Sequence, residues 1–209
     1  MCKSNDRQPG EQHHGCGCSQ HERGERSRGA HPGVDLIFPE VPAPDPSIYQ
    51  QAGEALLRRL VRRHHERLAV SPVGHLIDTT PQRFDSMVEK IADFIIEKCG
   101  GEPGYTQANG HVCMRVRHFP ITIDERARDI WLGELLHALV EVEFPASLME
   151  AYWSWVEPLS VRMINRRTCR AQPDHYPFAQ VSPFLQERGA IPNPVYAAQG
   201  REESECRVI

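Results

Sequence analysis

The chain has 209 residues, with 24 lysines and arginines against 28 aspartates and glutamates, 40% hydrophobic residues, 17 prolines and 15 glycines. That length suits one domain with tails, and a net charge of −4 excludes a broad cationic field for nucleic acid. No apolar run approaches the roughly 18 residues that cross a bilayer, and Met1 to Asp6 lead into polar sequence rather than an apolar signal core, so a cytoplasmic protein with no nucleic-acid and no membrane partner is expected.

Residues 1–45 are rich in Gly, His, Arg, Glu and Pro, with almost no apolar residue before Val34. They cannot bury enough surface to offset the entropy of ordering and read as a disordered tail. Within them His13, His14, Cys16, Cys18 and His21 crowd three imidazoles and two thiols into nine residues, a set that offers ligands to a soft metal. Cys16-Gly17-Cys18 is too close for zinc-finger spacing, so tight tetrahedral zinc needs ligands from elsewhere. Seven cysteines in all, four of them scattered (Cys99, Cys113, Cys169, Cys206), argue against a disulfide framework and for reduced thiols.

Residues 46–168 carry helical periodicity and no alternating strand pattern, so the domain is all-α. The first helix, ending near Val70, places Leu57, Leu60, Val61, His64 and Leu68 on one stripe, with His65 beside it. Ser71-Pro72-Val73-Gly74 breaks it, and Thr79-Thr80-Pro81 supplies a hydroxyl cap and an N-terminal proline for the next. That second helix aligns Phe84, Met87, Val88, Ile91, Phe94 and Ile95 before Gly100-Gly101 ends it. A polar loop (102–110) and a segment of about two helical turns (111–120) follow, stopped by Pro120. Thr122-x-x-Glu125 has capping-box form and opens a helix that buries Ile130, Trp131, Leu135 and Leu139. A last helix from about Pro145 buries Leu148, Tyr152, Trp155 and Leu159, with a kink expected at Pro158. Residues 169–209 are punctuated by prolines and read as an extended tail lying against the domain.

Four or five amphipathic helices specify a bundle and no activity; His118 adds the chemistry. A lone histidine near a helix end is more often a surface or capping residue. This one stands between Arg117 and Phe119-Pro120, with Arg115 nearby and Trp131 13 residues downstream. Neutral imidazole binds haem iron, and arginines reach the acidic propionates at the porphyrin rim.

The string Gly100-Gly101, Tyr105, Gly110-His111, Met114-Arg115-Val116-Arg117-His118-x-Pro120, then Glu125-Arg126, Asp129 and Trp131-Leu132 resembles the truncated haemoglobins, most closely their second group. The resemblance covers about 120 residues and neither tail. It implies a globin-like two-over-two helical sandwich around haem b, with His118 as the proximal iron ligand. It further implies that Trp131 stands over the distal pocket with its indole N–H available to a gas ligand, and that Lys90, Tyr105 and Arg117 bind the propionates. Met87, Ile91 and Phe94 would line the cavity.

The departures begin on the distal side. His64-His65 stand where the family commonly has Phe-Tyr, so the tyrosine donor is missing. A second aromatic or histidine expected at the following corner falls near Ile77 or Asp78; Gly-His-Pro is here Gly110-His111-Val112, and the usual Phe after the proline is Ile121. The family register sets His65 over the iron, with His64 as the neighbouring alternative. From there imidazole either ligates the iron directly or hydrogen-bonds the ligand, and the packing of its helix favours the hydrogen bond. The leading expectation is reversible binding of a diatomic gas: oxygen, carbon monoxide or nitric oxide. The alternatives are an enzyme that detoxifies nitric oxide or peroxide with an external reductase, a haem-based sensor whose tails are the output, and a globin scaffold without haem.

Overall fold

The computed structural model describes residues 36–202 apart from Val112 and Arg170, with only the backbone given for 200–202. The His13 to His21 cluster lies outside the described residues. Helix α1 (Ser47–Ala69) breaks at Gly53, whose φ of 72° favours glycine. Beyond the break Leu57, Leu60, Val61, His64, His65 and Leu68 are all buried. These are the stripe residues read from periodicity. A 3-10 turn at Gly74–Leu76 then leads to α2 (Pro81–Lys98), where Pro81 occupies the first helical position. Thr80 makes no side-chain cap; Asp78 accepts the Thr80 N–H instead, at 3.0 Å.

The buried face of α2 differs in detail from the sequence reading. Val88, Ala92, Ile95 and Ile96 form its core side, while Phe84, Met87 and Ile91 remain half-buried. Phe84, Met87 and Ile91 pack against the edge of that core rather than inside it. At its end Gly100 takes φ 101°, and the Gly101 N–H returns to the Ile96 carbonyl at 2.8 Å.

Residues expected as a polar loop include a short helix, α3 (Gly104–Asn109), whose Thr106 N–H donates to the Glu97 carboxylate at 2.7 Å. Helix α4 (Met114–Arg117) is one turn rather than two. The capping box also fails to form. Helix α5 (Glu125–Glu141) is capped by Asp124, which accepts the Ala127 N–H at 2.8 Å. Glu125 turns instead to Arg167 at 2.6 Å and to Thr168. Helix α6 (Ala146–Val161) continues through Pro158 for most of a turn.

Helix α1 packs on α2, and α5 on α6, while α1 also crosses α5 and α6; these two pairs are the two-over-two sandwich. Leu57, Leu60, Leu132, Leu135, Leu136, Leu139 and Trp153 are fully buried between them, each worth about 1.5–3 kcal/mol relative to exposure. Among the described residues there is no strand.

The C-terminal segment corrects the expectation of an extended tail. It forms α7 (Phe178–Gln186) and α8 (Pro194–Glu202), packed on α5 and on each other, with α7 also against α6. Val181, Phe184 and Leu185 fall at i, i+3 and i+4 and are buried, a helical stripe too short to stand out between prolines. Pro177 and Pro194 sit at helix starts, where a missing N–H costs nothing. Buried Arg128 ties this segment down. It bonds Asp129 at 2.9 Å, Glu157 at 2.5 Å and the Asp174 carbonyl at 2.7 Å. Among the described cysteines, Cys169 departs from the thiol expectation and is disulfide-bonded, whereas Cys99 and Cys113 are free.

Candidate functional site

His118 closes the single turn of α4. Its Nδ1 lies 2.7 Å from the Met114 carbonyl, and an oxygen at that distance requires the proton on Nδ1. In the neutral ring the lone pair then falls on Nε2, which has no partner among the described residues. This is the tautomer a metal ligand needs, with the orienting hydrogen bond already made. Asn165, from beyond α6, fixes the loop that follows: its Nδ2 donates to the His118 and Ile121 carbonyls at 2.9 and 2.7 Å. Nothing in the local pattern marks Asn165, since its partners lie 42 to 47 residues away.

On α1, His65 repeats the arrangement. Its Nδ1 donates to the Val61 carbonyl at 2.8 Å, and burial, with the nearby His118 as a lesser cause, holds its pKa below the usual histidine value. A neutral His65 in this conformation carries a lone pair at Nε2 and no hydrogen. The expected hydrogen bond from His65 to a ligand has no donor in this state. His64 is also buried: its Nε2 donates to the Trp131 carbonyl at 3.0 Å, and its ring meets the Trp131 ring edge-on at 4.7 Å. Burial above all, then the adjacent His65, keeps His64 well below the usual range. Half-buried Trp131 has an indole N–H with no partner among the described residues, so it is the donor in this group.

On α2, Phe84, Met87 and Ile91 are half-buried at the edge of the core. Phe94, seven residues after Met87 on the same helical face, is buried beside Tyr105 and Trp155. Tyr105 is buried beneath the Arg117 guanidinium, 5.5 Å from its ring centre, while Arg117 donates to the Asn109 carbonyl at 2.8 Å. Lys90 is exposed on α2. Arg115 is committed elsewhere, bonding the Arg162 and Ile164 carbonyls at 2.8 and 2.9 Å.

Half-buried apolar side chains on α2 and an unpartnered imidazole nitrogen at the end of α4 fit a flat, largely apolar group with a metal at its centre. Cationic Lys90 and Arg117 fit its acidic edge. Haem meets this description.

The family model of the bacterial-like globins matches residues 47–165. Among characterised proteins, the group 2 truncated hemoglobin YjbI of Bacillus subtilis (strain 168) is 30% identical over 118 residues, which span 56% of this chain and 88% of that protein. Among solved structures, phosphate-bound Hell's gate globin IV is 47% identical, with a TM-score of 0.71 over 73% of this chain and 95% of that one. The truncated oxygen-avid haemoglobin from Bacillus subtilis is 29% identical, with a TM-score of 0.53 over 56% of this chain and 98% of its own. The chain thus belongs to the bacterial-like globin family, as a truncated haemoglobin similar to those of group II, and haem is its cofactor.

Proposed function

We propose that the protein reversibly binds oxygen, or another diatomic gas, on a haem b iron held by His118. When bound, the haem supplies the iron coordination position at which the gas competes. The observation that carries the reading is the His118 ring, whose Nδ1–H is engaged by Met114 at 2.7 Å, leaving Nε2 to coordinate. Lys90 and Arg117 would hold the propionates, with Tyr105 beneath Arg117 setting its position. Met87 and Ile91 would cover one haem face and exclude water, with Phe94 supporting them from the core.

On the distal side the residues divide the work. Trp131 would donate its indole N–H to the gas, a bond worth about 1 kcal/mol. His65 Nε2, carrying a lone pair, would bind the iron when no gas is present. His64 would steady Trp131 through its bond to the carbonyl.

The test is the visible spectrum of the purified protein in ferric, ferrous and ferrous-CO forms, for wild type and His118→Gly. The variant should purify largely haem-free, or regain haem only with added imidazole. Unchanged stoichiometry and spectrum would remove His118 from the site.

A further inference from the structure

A second concavity, of about 820 Å³, lies between the turn after α1, the loop Pro120 to Thr122 and the start of α5. None of the residues assigned to the haem borders it. Its walls are chemically divided. Val73, Leu76, Ile121 and Ile130 give an apolar side, and His75, Arg126 and Arg166 give a basic one. One carboxylate, Asp124, lines it too, and that group is engaged in capping α5.

The two arginines are set apart from most others among the described residues. Arg58, Arg62, Arg63, Arg67, Arg128 and Arg167 each bond a carboxylate. The side chains of Arg126 and Arg166 have no partner among the described residues, although the protein carries a net charge of −4. Arg126 also stands in the first turn of α5, where the helix dipole disfavours a cation and favours an anion. An anion seated against these side chains would offset that mismatch and supply the partner neither has. The volume is in the range of small-molecule sites and far exceeds what an inorganic ion fills, and the apolar side would bury a hydrocarbon body.

We infer that this concavity binds an amphipathic organic anion, with its carboxylate or phosphate head on Arg126 and Arg166 and its apolar part against Leu76, Ile121 and Ile130. The ligand would touch the loop that follows His118 and the turn that follows α1, the helix carrying His64 and His65. The binding itself does not rest on the haem reading.

Calorimetric titration of the purified protein with octanoate tests this, with cyanide present so that iron offers no competing site. Octanoate should bind one to one, at least about tenfold more tightly than octanol or inorganic phosphate. Arg126→Gln with Arg166→Gln, both at exposed positions, should weaken it by about tenfold or more with the far-UV dichroism unchanged. Leu76→Glu, which sets a carboxylate in the apolar wall, should abolish it. Equal affinity for octanol would overturn the role of charge, and equal affinity for phosphate would overturn the organic ligand. Affinity for octanoate unaltered in either variant would remove the site.

Discussion

His65 and Val61 stand one helical turn apart on α1, and the imidazole Nδ1–H of His65 donates to the Val61 carbonyl at 2.8 Å. That bond decides which nitrogen is available, and leaves Nε2 as a lone pair within electrostatic reach of His118. On the proposed reading, the gas-free ferrous protein shows split low-spin bands, and His65→Leu collapses them to a five-coordinate spectrum with faster gas binding. A five-coordinate wild type would return His65 to a role without iron contact.

His64 and His65 also set an acid dependence. Burial keeps both below the unfolded value of about 6.5, so below that pH the unfolded chain takes up protons that the native state refuses. Stability contributed by neutral His64 is present above about pH 6.5 and is lost as pH falls, by up to about 1.4 kcal/mol per unit for each ring. Asp129 acts oppositely, because burial raises its carboxyl to about 6 and the native state gains the proton first. The comparison is therefore between variants. His64→Gln, which keeps a donor for the Trp131 carbonyl, should flatten the loss of urea stability between pH 7.5 and 5.5. An identical slope in both proteins would show that His64 is protonated in place.

Gly133 is where α5 receives the C-terminal helix. A Cβ added there would stand 2.5 to 2.9 Å from the Tyr196 ring and hydroxyl, and that hydroxyl donates to Glu134 at 2.6 Å. Gly133→Ala should displace Tyr196, cost about 1–3 kcal/mol and open α8 to proteases. Tyr196→Ala in the same background should recover part of the urea stability.

Arg128 is buried, with Asp129 and Glu157 as its ionic partners. Removing it alone, as Arg128→Met, leaves carboxylates without their cation and should cost about 3–5 kcal/mol. Combining it with Glu157→Leu should cost less than the sum of the two single changes in urea titrations, a coupling that identifies the pair.

Much of the globin domain was legible in the residues themselves. The stripes Leu57 to Leu68 and Ile130 to Leu139 are written at helical spacing, and apolar residues at that spacing have one way to leave water together. His118 was legible because its arginines, proline and downstream tryptophan are near it in sequence. The α7 stripe was not, since three apolar residues among prolines resemble a loop until α5 and α6 offer a surface to cover.

The sequence by itself determined the four long helices and the family and named the nitrogen-bearing side chains of the candidate site, because helical spacing and short motifs are local properties. Only the tertiary structure decided how those side chains are used. It paired His64 with Trp131 across 67 residues, Asn165 with His118 across 47 and Arg128 with Glu157 across 29. Among the described residues it also left Nε2 of His65 and His118 without partners. Such choices depend on which carbonyl or carboxylate arrives from a distant segment, and burial makes each polar atom take the partner that packing brings.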